Sequence, residues 1–398
     1  MQVTTPSLTC LPPSCRSALE GLRAEFKWNH FLTFSWLLVL QLLNYGPGNL
    51  LELSRATRAI SYFQITRFLR ARYGDPNRWL LWLGTRVMEQ FPPPESGVFE
   101  ITVDCTRKPK RSQRNPAMTR GKDRSQGPWI FGLHLLVICC RWNTYRIPVL
   151  FALIRPRNTP GYQPPNQLLR QLLERVPVPT WAKQVIVLAD AGFAAKENFK
   201  LFQKWGWGYV VRLPRTWKLA DGTHLKDLIA QTTSYRKVWI PSSNGKHRKT
   251  YFVHWLPASL HQLGHVHLIL SKWRRNFGPD KVHVLVTNLP LSARAVLALY
   301  QCRWYVEVLF KEIKGTVALG QHQVNSEFHQ IEKSVGISLA AYLLLLRLQA
   351  HNIPKHGSWS AFDLKRRFWQ ETMAQVFSHS VDREVRKRGK LKHSAQAA

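Results

Sequence analysis

The first part of the chain, up to about residue 90, follows a helical pattern of apolar and polar positions. Apolar residues recur every three or four positions in four segments that glycine, proline and asparagine separate. The segments read SALEGLRAEFKWNHFLTFSWLLVLQLLN, NLLELSRAT, SYFQITRFLRARYG and NRWLLWLGTRVMEQF. QFPPPESG at 90–97 ends this pattern. We therefore predict a helical domain over residues 1–95.

Short arginine-rich helices predicted between Leu51 and Arg72 allow two interpretations of this domain. Because brief turns join them, they are compatible with a helix-turn-helix that lays basic residues on DNA. A helical bundle with a solvated basic face explains the same residues equally well. On the first interpretation the domain binds DNA.

A strand pattern begins at Val98, where β-branched and aromatic runs replace the helical spacing. The predicted elements are strands at 98–104, 129–142 and 144–154, a helix at 166–176, a strand at 184–190, a helix at 196–205 and a strand at 208–213. The short connection at Asn143 predicts a hairpin. Three strands, helix, strand, helix, strand is the order of a ribonuclease-H-like mixed α/β sheet. We assign the first part of such a core to residues 96–213.

The remaining chain predicts an insertion and a return to helices. Residues 214–290 contain the strand-like runs KVWI, KTYFVHW, HVHLILSKW and KVHVLVTNL and are rich in tryptophan, lysine and arginine. Helical spacing resumes after Pro290, with Ser292 as a candidate N-cap. We predict the final core helices within 291–350 and a basic C-terminal segment over 351–398.

The charge of the chain changes what these domains are expected to bind. Lysine and arginine number 57 against 23 acidic residues, a formal charge of +34 with a pI near 10.5. Such an excess repels itself unless a polyanion neutralises it, and nucleic acid is the first candidate. The apolar run 31–43 is too short to span a membrane and predicts a buried helix. Six cysteines without paired spacing fit a reducing cytoplasm and argue against a zinc site.

Two aspartates stand at predicted strand ends. Asp104 closes the first strand and Asp190 the fourth, and each enters a polar or glycine-bearing turn. These two strands are neighbours in the predicted order, and ligands bind at the carboxyl ends of strands in an open α/β sheet. Taken singly, a strand-end aspartate is more often a turn cap.

A third carboxylate lies on the helix predicted after Ser292. On a helical wheel Tyr300, Arg303, Glu307 and Lys314 fall within about 60° of one another, at the edge of an apolar face. Glu312 points the other way and is predicted to face solvent. An ordinary amphipathic helix with a salt-bridged edge is the competing interpretation.

Three converging carboxylates would repel one another unless cations lay between them. Two Mg²⁺ or Mn²⁺ ions relieve that repulsion and can activate water or a 3′-hydroxyl for attack on a phosphodiester. We therefore predict Asp104, Asp190 and Glu307 as catalytic residues and as ligands of two ions.

The spacing Y-x2-R-x3-E-x6-K over residues 300–314 resembles the signature of insertion-sequence DDE transposases of the IS-four group, which carry a β-strand insertion before the catalytic glutamate. Asp104 in VDCT and Asp190 in LADAGF resemble the two catalytic aspartates of that group. The resemblance covers about residues 98–320. Cys105 departs from it, because the group often has a second aspartate there.

The resemblance implies cut-and-paste transposition by a homodimer bound to double-stranded DNA. The enzyme would cleave at terminal inverted repeats and join a 3′-hydroxyl to target DNA, in association with a bacterial nucleoid. Tyr300, Arg303 and Lys314 would contact DNA phosphates near the cleavage site.

Other DNA contacts follow less directly from the sequence. A basic loop predicted after Asp104 either faces phosphate or is merely solvated; its residues are Arg107, Lys108, Lys110 and Arg111. Some relatives stack a flipped base on a tryptophan of the insertion. Trp239, Trp255 and Trp273 lie in suitable positions, although a tryptophan in a strand more often belongs to the core.

Two other functions fit the same residues. One is a ribonuclease-H-like nuclease that hydrolyses DNA without strand transfer. The other is a DNA-binding protein from a decayed element, in which the three acids are structural.

Overall fold

The structure, a computed structural model, describes residues 11–44, 49–72, 74–110, 115–123, 127–241, 247–261, 263–322, 324, 327–351 and 360–376. The chain divides into two compact units. Unit 1 comprises residues 1–91, 112–116 and 311–398, and unit 2 comprises residues 92–111 and 117–310. The five-part division expected above is finer than these units and stays a prediction.

The chain is a mixed α/β protein with one large mixed sheet. The helices are α1 (Pro13–Glu20), α2 (Trp28–Leu43), α3 (Leu50–Arg55), α4 (Tyr62–Arg70), α5 (Pro76–Met88), α6 (Pro165–Leu173), α7 (Lys196–Lys204), α8 (Leu225–Gln231), α9 (Ala293–Cys302), α10 (Trp304–Thr316), α11 (Phe328–His351) and α12 (361–376). The strands are β1 (Val98–Pro109), β2 (Met118–Asp123), β3 (Gly127–Trp142), β4 (Tyr145–Leu153), β5 (Gln184–Ala189), β6 (Gly208–Leu213), β7 (Arg236–Pro241), β8 (Arg248–Leu260), β9 (Gly264–Lys272) and β10 (His283–Thr287).

Unit 1 is helical in its described parts and packs around aromatic side chains. The apolar run 31–43 lies in α2 with nearly all of its side chains buried, which confirms the predicted buried helix. The rings of Phe34 and Trp79 pack in a tilted contact, with 4.8 Å between their centroids. Within the described ranges, no helix is long and apolar enough to cross a membrane. The helix-turn-helix expected near α3 and α4 stays a prediction.

A buried lysine side chain caps the C-terminal ends of two helices. Lys365 of α12 donates hydrogen bonds to the carbonyl of Asn44 after α2 (2.5 Å) and to that of Thr316 in the last turn of α10 (2.7 Å). Its amine thereby satisfies carbonyls that a helix end leaves without intrahelical partners. Burial lowers the pKa of Lys365 to about 8. The C-terminal end of α10 is therefore held firmly within unit 1.

Unit 2 is built on a sheet with the strand order β2-β3-β1-β5-β6-β10-β9-β8-β7, and β4 also pairs with β3. β1, β5 and β6 are parallel, and the other pairs are antiparallel. The predicted hairpin is confirmed, since Asn143 takes a positive φ of 49° in the turn between β3 and β4. The strands of segment 214–290 continue the sheet, because β10 pairs with β6.

Two strand predictions were wrong. β1 does not end at Asp104 but continues to Pro109, because its backbone pairs with β3 as far as Gly132. β2 was not predicted; its sequence, MTRGKD, carries almost no apolar alternation, and only pairing with β3 makes it a strand. The extension of β1 moves part of the expected basic loop into the sheet.

The long helix predicted after Ser292 is divided into α9 and α10. Ser292 caps α9 as predicted, its Oγ accepting from the amide of Ala295 at 3.3 Å. At the division the amide of Arg303 donates to the carbonyl of Tyr300, three residues back, so the helix tightens there. The side chain of Arg303 is tied to β1 at the same point, as described below. The predicted apolar face is otherwise confirmed, with Val306 and Phe310 buried.

The close approach of β3 to β1 gives a test of the extended strand. A Cβ added at Gly132 would overlap the backbone carbonyl oxygen of Lys108, whereas one at Gly121 would meet the guanidinium at the far end of the long Arg107 side chain. We expect Gly132→Ala to destabilise the protein by about 1–3 kcal/mol in urea unfolding, because backbone must shift to accept it. Gly121→Ala is the matched control and should cost clearly less; equal costs would contradict the pairing of β1 beyond Asp104.

Candidate active site

The parallel pairing of β1 with β5 brings two aspartates to one level of the sheet. Its last pair joins Val103 to Ala189, so Asp104 and Asp190 follow at adjacent positions on neighbouring strands. Asp190 begins a short 3-10 turn, and its Oδ1 accepts from the amide of Gly192 at 2.9 Å. The structure therefore confirms that the two strands are neighbours, and Asp190 also serves as the turn cap that the sequence allowed.

A guanidinium joins Asp104 to the glutamate of α10. Arg303 donates from Nη1 to Oδ2 of Asp104 at 2.7 Å and from Nη2 to Oε1 of Glu307 at 2.9 Å. The side chains of Arg303 and Asp104 are 17% and 13% exposed, and that of Glu307 is 35% exposed. Charge-assisted bonds of this fork-like kind are strong and directional. The arginine thus fixes the position of α10 against β1.

The protonation of Asp104 reflects its buried position among other charges. Burial raises the pKa of Asp104 to about 6, Arg303 opposes that rise, and the negative charges of Asp190 and Glu307 add to it. For Arg303, burial lowers the pKa, but Asp104, Tyr300 and Glu307 together outweigh burial and the pKa is raised. Asp190 and Glu307 are therefore each close enough to Asp104 to act on it electrostatically.

Tyr300 lies beside this cluster at the end of α9. The Arg303 guanidinium carbon is 5.8 Å from the centroid of its ring. Burial raises the pKa of the Tyr300 hydroxyl, while Arg303 and Arg212 draw it down. The phenol therefore stays protonated at neutral pH and is available as a hydroxyl donor.

The three carboxylates are suitable ligands for a divalent cation by their chemistry, but they are not arranged as a ready binding site. Oxygen ligands are what Mg²⁺ and Mn²⁺ prefer, and Asp104, Asp190 and Glu307 would be the residues to hold them. Across the described ranges, however, no three His, Cys, Asp or Glu side chains are grouped as a ready metal cage. Arg303 instead supplies the positive charge between Asp104 and Glu307. The site thus fits cations only if that guanidinium turns aside.

The basic residues predicted after Asp104 lie in different surroundings. Arg107 and Lys108 belong to β1 rather than to a loop, while Lys110 follows the strand and Arg111 is outside the described residues. Strand alternation puts Lys108 on the face of Asp104 and Arg107 on the opposite face. Arg107 donates to Oγ1 of Thr119 on β2 at 3.1 Å. Of this set, Lys108 is the better placed to serve the site.

Lys314 lies in the last turn of α10, two turns beyond Glu307. The predicted direction of Glu312 was wrong. Rather than facing solvent, Glu312 accepts a hydrogen bond at Oε2 from the hydroxyl of Tyr342 at 2.7 Å. α11, which carries Tyr342, could not be placed beside α10 from the spacing on a single helix.

Sequence reasoning also missed a second buried ion pair beside α10. Arg141 of β3 pairs with Glu100 of β1, each side chain 10% exposed, and the guanidinium carbon lies 4.8 Å from the ring centroid of Tyr305. Tyr305 is two residues before Glu307, so this pair braces the first turn of α10. A glutamate inside the apolar run VFEITVD was the available signal, since a buried charge needs a partner.

Comparisons with known proteins extend these observations. The family model described as transposase DDE domain matches residues 102–344, more than half of the chain. No curated protein is significantly similar to the chain in sequence. One solved structure that resembles it is the cryo-EM piggyBac transposase synaptic complex with hairpin DNA, at 12% identity over 94% of this chain and 79% of that chain, with a TM-score of 0.47.

The raised pKa of Asp104 predicts how stability responds to its replacement. Unfolding returns this carboxyl to an ordinary value of 3.8 from about 6, so the folded protein holds an extra proton between those pH values. Stability from this group therefore falls as pH rises from about 4 to 6, by on the order of 2–3 kcal/mol. We expect Asp104→Asn to melt at a higher temperature than wild type at neutral pH, and the gain to shrink toward pH 4.

Differential scanning fluorimetry across this pH range measures the effect. Asp280→Asn, at an exposed aspartate, is the control and should show no such gain. An Asp104→Asn variant that is less stable than wild type at neutral pH would show that the bond to Arg303 outweighs the cost of burying the charge.

Proposed function

Because the chain belongs to the transposase DDE domain family, we propose that it is a cut-and-paste DNA transposase of the IS-four type. It would cleave DNA at the terminal inverted repeats of a mobile element and join the freed 3′-hydroxyl to target DNA. The observation that carries the proposal is the convergence of Asp104, Asp190 and Glu307 through one sheet register and one arginine.

The fold supports this proposal. β4, β3, β1, β5 and β6 lie side by side, with β3 antiparallel to β1 and β4, and with β5 and β6 parallel to β1. This is the strand arrangement expected of a ribonuclease-H-like core, and the strands after β6 correspond to the insertion expected before the catalytic helix. The acids then lie where such a sheet binds ligands, beyond the carboxyl ends of its parallel strands.

DDE transposases generally use divalent metal ions, and we assign Asp104, Asp190 and Glu307 as the residues that would hold two Mg²⁺ or Mn²⁺. When bound, the ions would activate the attacking oxygen and stabilise the leaving one. Arg303 would exchange its carboxylate partners for a DNA phosphate, because bound cations would then supply the positive charge that its guanidinium now places between Asp104 and Glu307. Tyr300, Lys108, Lys110 and Lys314 would contribute further phosphate contacts.

The partners follow from the chemistry. Duplex DNA supplies both the element ends and the target, and the charge of +34 supports binding to such a polyanion. Joining two ends requires two active sites, so we propose that a homodimer forms on DNA. Its place of action would be the nucleoid of a bacterial cell.

End joining is the direct test of the proposed function. Inverted repeats recovered from the DNA flanking the gene are supplied as pre-cut ends with purified protein and Mg²⁺, and products are resolved on a denaturing gel. We expect strand transfer into target DNA. Hydrolysis without joining would instead identify a nuclease, and binding without either reaction a non-catalytic DNA-binding protein.

Single substitutions test the three acids in the same assay. Asp104→Asn, Asp190→Asn and Glu307→Gln should each lower cleavage at least about a hundredfold, as expected for groups that act as one unit, while duplex binding stays within a few-fold. Glu312→Gln is the matched control on the same helix and should retain activity. Unchanged cleavage in any one of the three variants would remove that residue from the site.

A further inference from the structure

An exposed tryptophan on the outermost strand of the sheet carries two arginines. Trp239 lies in β7 and is 39% exposed. The guanidinium carbons of Arg248 and Arg294 lie 4.3 and 3.9 Å from the centroid of its ring. All three residues belong to unit 2, and none of them is part of the candidate active site.

Two different elements deliver these arginines to the ring. Arg248 opens β8 opposite Pro241 of β7. Arg294 lies in the first turn of α9, which is fixed on the sheet because Val296 and Leu297 pack with Ile240 of β7. The arrangement therefore follows from sheet pairing and core packing.

The two arginines beside Trp239 have no ion-pair partner among the described carboxylates. No described carboxylate forms an ion pair with Arg248 or Arg294, and both arginines are exposed. Arg236, Lys237 and Lys249 on the same two strands are exposed as well. Segment 214–290 holds 12 lysines and arginines against 3 aspartates and no glutamate. Two guanidiniums near one ring repel each other, and a polyanion would relieve that repulsion.

We propose that Trp239, Arg248 and Arg294 form a second DNA contact that binds backbone phosphates of duplex DNA. A guanidinium lying on an aromatic face is held by cation–π attraction while its N–H donors point outward at the ring edge. Donors fixed in this way suit the paired oxygens of a phosphate. The proposal rests on DNA being the substrate proposed above, but its test needs no catalysis.

Phosphate binding fits this cluster better than base stacking does. A base stacked on Trp239 would have to displace a guanidinium that already lies over the ring. The other two candidates of the insertion are also engaged, since Trp255 stacks on His267 at 5.2 Å and Trp273 meets Tyr251 edge-on at 5.8 Å. All three tryptophans are exposed, so the core position that is commoner for a strand tryptophan does not apply to them.

Helix geometry places this contact relative to the candidate active site. Arg294 and Arg303 are nine residues apart along α9, which is about 14 Å at 1.5 Å per residue. Along DNA that distance spans about four base pairs at 3.4 Å each. The cluster would therefore hold DNA a few base pairs away from the phosphate under attack.

The test is the salt dependence of duplex binding in EDTA, measured by fluorescence anisotropy with a random-sequence duplex of about 30 base pairs, long enough for several phosphate contacts. For the double variant Arg248→Gln/Arg294→Gln, we expect the negative slope of log association constant against log salt concentration to become less steep by about 1.8. Each lost phosphate contact removes about 0.9 from the steepness of that slope. Lys200→Gln/Lys204→Gln on the exposed face of α7 removes the same charge and should leave the slope nearly unchanged. Equal slopes for wild type and the arginine variant would overturn the proposal.

A second variant separates phosphate binding from base stacking. Trp239→Leu removes the ring and should weaken duplex binding about threefold through loss of the cation–π contacts. A larger loss on single-stranded than on duplex DNA would instead indicate a stacked base and refute the phosphate contact. Circular dichroism and melting temperature establish that each variant is folded. A reduced slope together with failed end joining would keep this contact while rejecting the proposed transposase chemistry.

Discussion

A single guanidinium between two carboxylates is the interaction on which the candidate site depends. Asp104 and Glu307 come from elements about 200 residues apart in sequence, and Arg303 holds them together with two short bonds. Charge-assisted bonds of this kind are stronger than neutral ones, so the guanidinium offsets part of the cost of placing Asp104 away from water. The junction of α9 and α10 is therefore fixed by charge as well as by apolar packing, and the helix tightens at the residue that carries that charge.

The sheet also fixes the position of Asp104, because the two edges of β1 are paired over different lengths. On one edge the parallel pairing with β5 stops at Val103, whereas on the other edge pairing with β3 continues to Pro109. Asp104 consequently lies on a strand that is still held in place while its neighbour has turned away at Asp190. Under the proposed function, a carboxylate held in place beside an open strand edge would suit attack on a phosphodiester, because precise positioning contributes much of the rate in such reactions.

The helices and strands that form this site could be predicted from the sequence more accurately than the pairing and packing between them. Apolar periodicity located β5, β6 and the helices around Glu307, and the predicted strand order made Asp104 and Asp190 neighbours. The ends of β1, the presence of β2 and the partner of Glu312 depended on pairing and packing with distant residues, which no local pattern records. Arg303 is the instructive case: its spacing of four from Glu307 allowed an ion pair, but its bond to Asp104 required the fold.

Arginine has more than one function in this chain, and its surroundings determine which. Arg141 and Arg303 are buried beside carboxylates and rest near aromatic rings, so they stabilise acids that the interior would otherwise reject. Arg248 and Arg294 lie near a tryptophan ring, no carboxylate among the described residues pairs with them, and both side chains are exposed. Under the proposed function Arg303 belongs to both groups in turn, because the carboxylates and a phosphate compete for it. The positive charge of Arg303 would then act within the proposed catalysis, since its departure would release the acids to bind cations.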